Sequence, residues 1–492
     1  VDLSTWVERN ARFGPSRPAL RWQGRSLDYA AFAVAVRRAA AALARCGVGV
    51  GERVAFLGLN DPSALALFFA CARVGAIFVP LNWRLAVPEL ARVLADCRPV
   101  ALFVEETFAE TARNAAGEVR RYPLSELERE GPAPGARGGP DVAVLISYTS
   151  GSTGAPKGVV LSQRAIQWNA VNSAHLHDLT SADRVLTTLP LFHVGGLNIQ
   201  TTPALHAGAT VVLHAKFEAR ETLAAIAAER VTLAVLVPAQ LVALMELADW
   251  ESADLSTLRM ITTGSTIVTA NFIRRVSARG VPVVQVYGAT ETCPIAAYVR
   301  AEQALAKAGS AGAAALHCEL RVVDPSSGRE APPGTVGEIL VRGPNLADGY
   351  WNAPHETAGA FAGGWYHSGD LGYLDNEGYL TVVGRRKELI ISGGENIYPA
   401  EVENALLEHP AVGEVCVIGV PDARWGEAVA AAVVPRPGVR LEVRELRAFL
   451  AERIARYKHP RVVRLCESLP KSALGKVRRE AVRELMRKEH PS

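Results

Sequence analysis

The chain has 492 residues, 49% of them hydrophobic and 21% charged, enough to bury a large core and to divide into two or more domains. Its 53 Lys and Arg against 50 Asp and Glu leave a formal charge of +3, which argues against a nucleic acid as partner. The seven cysteines are scattered and form no Cys-x-x-Cys pair, which disfavours zinc and dithiol redox chemistry and leads us to expect free thiols in a reducing cytoplasm.

Val1-Asp2-Leu3-Ser4-Thr5 lacks the basic-then-apolar character of a secretion signal, and Arg73 interrupts the apolar run from Ala64 to Pro80, so no membrane span is expected. Phe32, Val36, Ala40 and Leu43 fall on one helical stripe. β-rich runs follow at 54–59, 76–81 and 100–104, with helix-length segments at 63–74 and 88–98 between them. Successive β-α-β units and a mostly parallel sheet are the economical reading. The Gly- and Pro-rich stretch 131–140 is a loop before a strand at 142–148. A second alternating series over 211–288, with strands at 231–237, 260–263 and 281–286, predicts a second sheet layer. Residues 318–384 predict a small β-rich subdomain, and a final α+β unit follows. The expected fold class is therefore α/β: a large N-terminal domain of two α/β sheet subdomains plus a small β-rich subdomain (1–386), then a small mobile α+β domain (387–492).

The segment Tyr148 to Gly158 follows an apolar strand and is expected to lead into a helix. Gly151, Gly154 and Gly158 let backbone N–H groups converge. Thr149, Ser150, Ser152 and Thr153 add hydroxyls, and Lys157 adds a positive charge. That chemistry suits a polyphosphate. Pro156 stands where a Walker A loop needs its second glycine, which disfavours a P-loop kinase or GTPase.

This loop resembles the signature of the adenylate-forming superfamily, which includes acyl-CoA synthetases, aryl-CoA ligases, amino-acid adenylation domains and luciferase. Tyr287-Gly288-Ala289-Thr290-Glu291 resembles the family's aromatic-Gly-x-Thr-Glu motif, and Ser368-Gly369-Asp370 its ribose-binding turn. The segment from Gly384 to Gly394 resembles its hinge, and that from Pro470 to Lys476 its C-terminal catalytic loop. Five matches in the family's order cover nearly the whole chain.

The resemblance implies residue roles. Thr290 contacts the α-phosphate and Glu291 holds Mg²⁺, a hard cation that prefers oxygen ligands. Asp370 and Arg385 hold the ribose, while Tyr287, Gly288 and Gly264 border the nucleotide. Lys387 is the pivot of the C-terminal domain, and Lys476 bridges carboxylate and ATP during adenylation. His193 lies near the acyl carbonyl and gates thiol entry, and Gly393 and Gly394 line the pantetheine tunnel. Read without the resemblance, several of these have plainer explanations. Thr290-Glu291 could cap a helix, Asp370 could sit in a turn, His193 could be a core residue, and the two lysines could be solvated charges.

Two departures bear on substrate. Ile267 and Val268 follow Thr263-Gly264-Ser265-Thr266 where the family often has proline, and 191–200 contains no carboxylate to hold an amino-acid ammonium. The acyl-pocket contributors expected at 194–198, Gln240, Gly288, Ala289, Pro294 and Ile295 include no cation for a dicarboxylate. The expected activity is ATP- and Mg²⁺-dependent ligation of an apolar acid, fatty or aryl, to coenzyme A through acyl-AMP. Delivery to a carrier protein and a silent binding protein are the alternatives, and a homodimer is an open option.

Overall fold

The computed structural model describes residues 2–149, 156–392, 395–422, 424–471 and 477–487. These form two compact units, Val1–Leu320 with Leu340–His367, and Arg321–Ile339 with Ser368–Ser492.

The first unit contains two large sheets. One runs in the order Gly349–Tyr350, Lys157–Ser162, Ala143–Thr149, Ile77–Pro80, Arg53–Leu57, Ala101–Val104, Arg120–Pro123. Its members from Ala143–Thr149 onward are parallel, as the β-α-β reading requires. The helices between them start on side-chain caps: Asp28 accepts from Ala31 N ahead of Tyr29–Arg45, and Asp61 from Ser63 N ahead of Pro62–Val74. The stripe of Phe32, Val36, Ala40 and Leu43 is fully buried. The other sheet runs Ala313–Ala314, Ala297–Tyr298, Val283–Tyr287, Met260–Gly264, Leu233–Val235, Arg184–Thr187, Thr210–Leu213, Pro18–Trp22, Arg25–Asp28.

Each sheet has a point at which neighbouring strands wind in opposite directions. In the first, the chain leaves Arg53–Leu57 toward one edge and Ala101–Val104 toward the other; in the second, the same divergence lies between Arg184–Thr187 and Leu233–Val235. Such points open a crevice at the carboxyl ends of the two strands. In the first sheet Glu105 reaches into this place, and a small cavity lined by Gly58, Leu59, Pro80, Leu81, Leu191 and Phe192 lies at the end of Arg53–Leu57. Glu105 accepts from Leu59 N at 2.7 Å, and a Cβ on Gly58 would lie 3.0 Å from the same carboxylate.

The second unit contains most of a four-stranded sheet, ordered Glu319–Val323, Gly337–Arg342, Tyr366–Leu374, Leu380–Arg385. Beyond it lies the sheet Glu395–Ile397, Ile390–Ser392, Gly426–Pro435, Val412–Asp422, with Val462–Leu465 parallel to Gly426–Pro435. Helices Pro399–Leu407, Val443–Ala451 and Arg479–Arg487 accompany it. The α/β class and the small C-terminal α+β part are as the sequence predicts. Six of the seven cysteines are buried, and all are free thiols. Among the described residues no helix is long and apolar enough to cross a membrane.

Candidate active site

One expectation fails at the phosphate loop. The loop does not lead directly into a helix: it joins two antiparallel strands, Ala143–Thr149 and Lys157–Ser162, with Thr149 opposite Lys157, and the helix begins only at Gln163. Val159 and Val160 are β-branched, and Gly158 packs where a Cβ would come within 2.8 Å of Ile146, so this stretch favours a strand. The segment 150–155, with Ser150, Gly151, Ser152, Thr153 and Gly154, lies outside the described residues, as do Gly393, Gly394 and Lys476.

At the base of the loop, Tyr148 donates to Asp96 Oδ2 at 2.5 Å, and the Trp351 indole donates to Asp96 O at 3.3 Å. The Lys157 ammonium lies 5.5 Å from the centre of the Tyr350 ring, whose hydroxyl donates to Glu291 Oε1 at 2.8 Å. Tyr350 thus touches both the cation of the phosphate loop and the carboxylate expected to hold the metal. The sequence reading missed it, because a Gly-Tyr pair carries no recognisable chemistry until its strand, Gly349–Tyr350, pairs with Lys157–Ser162.

Thr290 and Glu291 sit in a single 3₁₀ turn, Thr290–Thr292, just after the strand Val283–Tyr287. The turn is closed by Thr292, whose Oγ1 accepts from Ala289 N at 2.9 Å. Capping therefore falls to Thr292 and does not consume the Glu291 carboxylate. Gly288 can be nothing larger, since a Cβ there would lie 1.6 Å from Pro294 O. Gly264 is equally constrained, 2.5 Å from Val286 O, and Ser265 beside it takes a positive φ of 72°. The departure at Ile267 and Val268 leaves this close approach intact.

His193 precedes the short helix Val194–Gly196. Its ring lies 4.6 Å from that of Phe192, and its Nε2 is buried without a partner among the described residues. Burial, reinforced by the Arg84 guanidinium, pushes its pKa down to about 4. Arg84 was not anticipated; it lies over the Trp83 and Phe192 rings at 4.6 and 5.8 Å. Two expected pocket residues are otherwise engaged. Asn198 is fully buried and holds Thr202 and Asn169, and Gln240 accepts from Val237 N at 3.1 Å.

In the second unit, Asp370 and Arg385 face each other across a hairpin and form an ion pair, Nε to Oδ1 at 3.0 Å. Ser368 Oγ accepts from Asp370 N at 3.0 Å and donates to Ile339 O at 2.7 Å, while Gly369 adopts a φ of 67°. The turn is thus built to present a buried carboxylate. Exposed Lys387 lies between two anchored neighbours: Arg386 pairs with Glu338 at 3.0 Å, and Glu388 with Arg479 at 3.0 Å.

Residues 7–351 match the AMP-binding enzyme family, and residues 401–476 match the AMP-binding enzyme C-terminal domain. The chain is 54% identical to an indoleacetate–CoA ligase of Aromatoleum aromaticum, over 99% of this chain and 98% of that one. It is 44% identical to a feruloyl-CoA synthase of an Amycolatopsis species, over 98% of both. The o-succinylbenzoate CoA synthetase of Bacillus subtilis, solved with its acyl-adenylate, superposes with a TM-score of 0.90 at 34% identity, over 97% of each chain. An anthranilate CoA ligase bound to anthranoyl-AMP gives 0.92 at 28% identity, over 99% of this chain and 97% of that one. The chain therefore belongs to the AMP-binding enzyme family, in the acyl-CoA synthetase branch of the adenylate-forming superfamily, and is an AMP-forming acid:CoA ligase with ATP and CoA as substrates.

Proposed function

We propose that the acid this ligase activates is aromatic, a flat ring bearing its carboxylate on a short arm, and that ATP is used with Mg²⁺. The observation that carries the reading is the 54% identity, over nearly the full length, to a ligase named for indoleacetate. Local geometry supports it. The segment from Leu189 to Leu197 is apolar apart from His193, Phe192 lies against His193, and a Cβ on Gly195 would meet Ile199 only at ordinary contact distance, 3.9 Å. A flat ring fits beside a missing side chain better than a flexible chain gains from it. Indoleacetate and ferulate each also carry one hydrogen-bond donor on the ring.

Mg²⁺ needs few protein ligands when phosphate oxygens supply the rest, and the Glu291 carboxylate, which Tyr350 holds through Oε1, suits that role. When bound, the ion neutralises charge on the leaving pyrophosphate. Lys157 and Thr290 steady the phosphates, and Asp370 with Arg385 receives the ribose hydroxyls. Lys476 attends the attack of the carboxylate on the α-phosphorus. His193, neutral near pH 7, offers an uncharged imidazole beside the acyl carbonyl. Movement about Lys387 then exchanges Lys476 for the Gly393-Gly394 face, so that the CoA thiol attacks the acyl-AMP. The moving domain on this reading is 387–492.

The test is pyrophosphate release with ATP, Mg²⁺ and CoA over indole-3-acetate, ferulate, benzoate, cinnamate and C2 to C16 fatty acids. An aromatic acid should lead by at least tenfold in kcat/KM; a fatty acid in the lead would refute the aromatic reading.

A further inference from the structure

We infer that Gln200 and Thr188 form a polar subsite that takes a hydrogen bond from an N–H or O–H borne on the ring of the acid. The inference rests on the aromatic reading above and adds to it a chemical selectivity.

The crevice of the second sheet, between the carboxyl ends of Arg184–Thr187 and Leu233–Val235, holds a small cavity, about the size of one water molecule, lined by Thr187, Thr188, Gly195, Gly196, Gln200 and Val235, so the donor on the ring would take the place of a water there. Ligands of open α/β sheets bind at such reversals. The lining brackets His193 in the chain, with Leu189 before it and Gly195 two residues after it, so it adjoins the place where the acyl carbonyl is expected.

Two of these side chains are all but fully buried, Gln200 at 2% and Thr188 at 1% exposure, and Gln200 Oε1 and Thr188 Oγ1 have no partner among the described residues. A buried polar atom left unmatched costs free energy that a ligand can recover. The neighbouring hydroxyls are already committed: Thr201 donates to Gly196 O at 2.6 Å, and Thr187 lies 2.7 Å from Thr201.

The direction of the Gln200 amide follows from its neighbours. His177 Nδ1 lies 2.8 Å from Ser173 O, a carbonyl that only accepts, so Nδ1 carries the proton. Burial holds the ring neutral, with its pKa lowered to about 4, so Nε2 accepts. Thr262 Oγ1, 2.9 Å from Nε2, therefore donates there and can only accept from Gln200, whose Nε2 lies 3.4 Å away. The amide nitrogen is thereby turned toward Thr262, and the oxygen is left as a pure acceptor. An acceptor needs a donor, which a plain hydrocarbon ring does not supply.

The experiment compares indole-3-acetate with 1-naphthaleneacetate, similar in shape but without the N–H, using kcat/KM for CoA-dependent pyrophosphate release in wild type and Gln200→Leu. Wild type should favour indole-3-acetate by about tenfold to a hundredfold, since sites built around a hydrogen bond reject analogues lacking it. Gln200→Leu should bring that ratio close to one, with KM for ATP unchanged. If Gln200→Leu does not fold by thermal melting, Thr188→Val reads the same ratio and should reduce it. A wild-type ratio near one, or a variant that lowers both acids equally as loss of packing or of a buried water would, overturns the subsite while leaving the aromatic reading standing. Preference for fatty acids over both aromatic acids overturns the two together.

Discussion

Tyr350 touches two groups of opposite charge with different parts of one side chain, the ring face toward Lys157 and the hydroxyl toward Glu291. Tyr350→Phe keeps the first contact and removes the second. A hydrogen bond to a carboxylate contributes about 1.5–3 kcal/mol, so the Mg²⁺ concentration for half-maximal adenylation should rise about tenfold, while Tyr350→Leu should also weaken ATP binding. Unchanged Mg²⁺ dependence in the Phe variant would show that Glu291 is oriented by other means. His177 supports a second expectation. Fully buried and with its pKa lowered to about 4, it resists protonation when folded, whereas the unfolded chain takes up the proton near 6.5. Its contribution is complete above pH 6.5 and is lost as pH falls toward 4, by about 3 kcal/mol. Thermal melts from pH 7.5 to 4.5 should show that fall, and it should be shallower in His177→Gln. The motif residues could be read from the sequence because each belongs to a short contiguous pattern. Gln200, Thr188, Tyr350 and Arg84 could not, because their roles depend on neighbours far away in the chain.

At the scale of elements, the parallel strands and buried helices between about residues 29 and 104 followed from periodicity and the scarcity of breakers, and the structure reproduces them to within a few residues, whereas Ser4–Phe13, Pro18–Trp22 and Arg25–Asp28 were not foreseen. The strand Lys157–Ser162 was missed because a glycine-rich approach to a helix looks the same in sequence as the tip of a hairpin. The pairs Ala297–Tyr298, Ala313–Ala314 and Gly349–Tyr350 are two residues long and carry no periodicity at all. Packing between elements also decides which glycines can change. Gly288→Ala would drive its Cβ into a carbonyl oxygen 1.6 Å away, an atom fixed by the backbone. Urea unfolding should show a loss of about 3 kcal/mol or more, whereas Gly363→Ala, with nothing within 4 Å but a positive φ of 60°, should lose only about 1 kcal/mol.

For the whole molecule, the interesting residue is Lys387, because its two neighbours are tied down while its own side chain is exposed and has no ion pair among the described residues. Arg386 is held by Glu338 in the β-rich part, and Glu388 by Arg479 in the last helix. Rotation concentrated at one residue needs firm attachment on either side of it, which these pairs supply. Lys387→Pro should therefore permit acyl-AMP formation but slow thioester formation at least about tenfold, since proline fixes φ near a single value. Lys476→Ala should do the reverse, blocking adenylation while supplied acyl-AMP is still thioesterified. Rapid-quench assays of the two half-reactions separate the cases, and equal loss of both in either variant would count against the division of labour.

The Glu105 carboxylate gives the two sheets different futures. Both possess a crevice at their reversal point, yet in the first the chain has supplied its own stopper, clasping Leu59 N with a residue that Gly58 makes room for. An engineer seeking a ligase for a new acid should diversify Thr188, Gln200 and Val235 and leave Gly58 and Glu105 alone, because a Cβ at Gly58 would press on the carboxylate that holds Leu59 N.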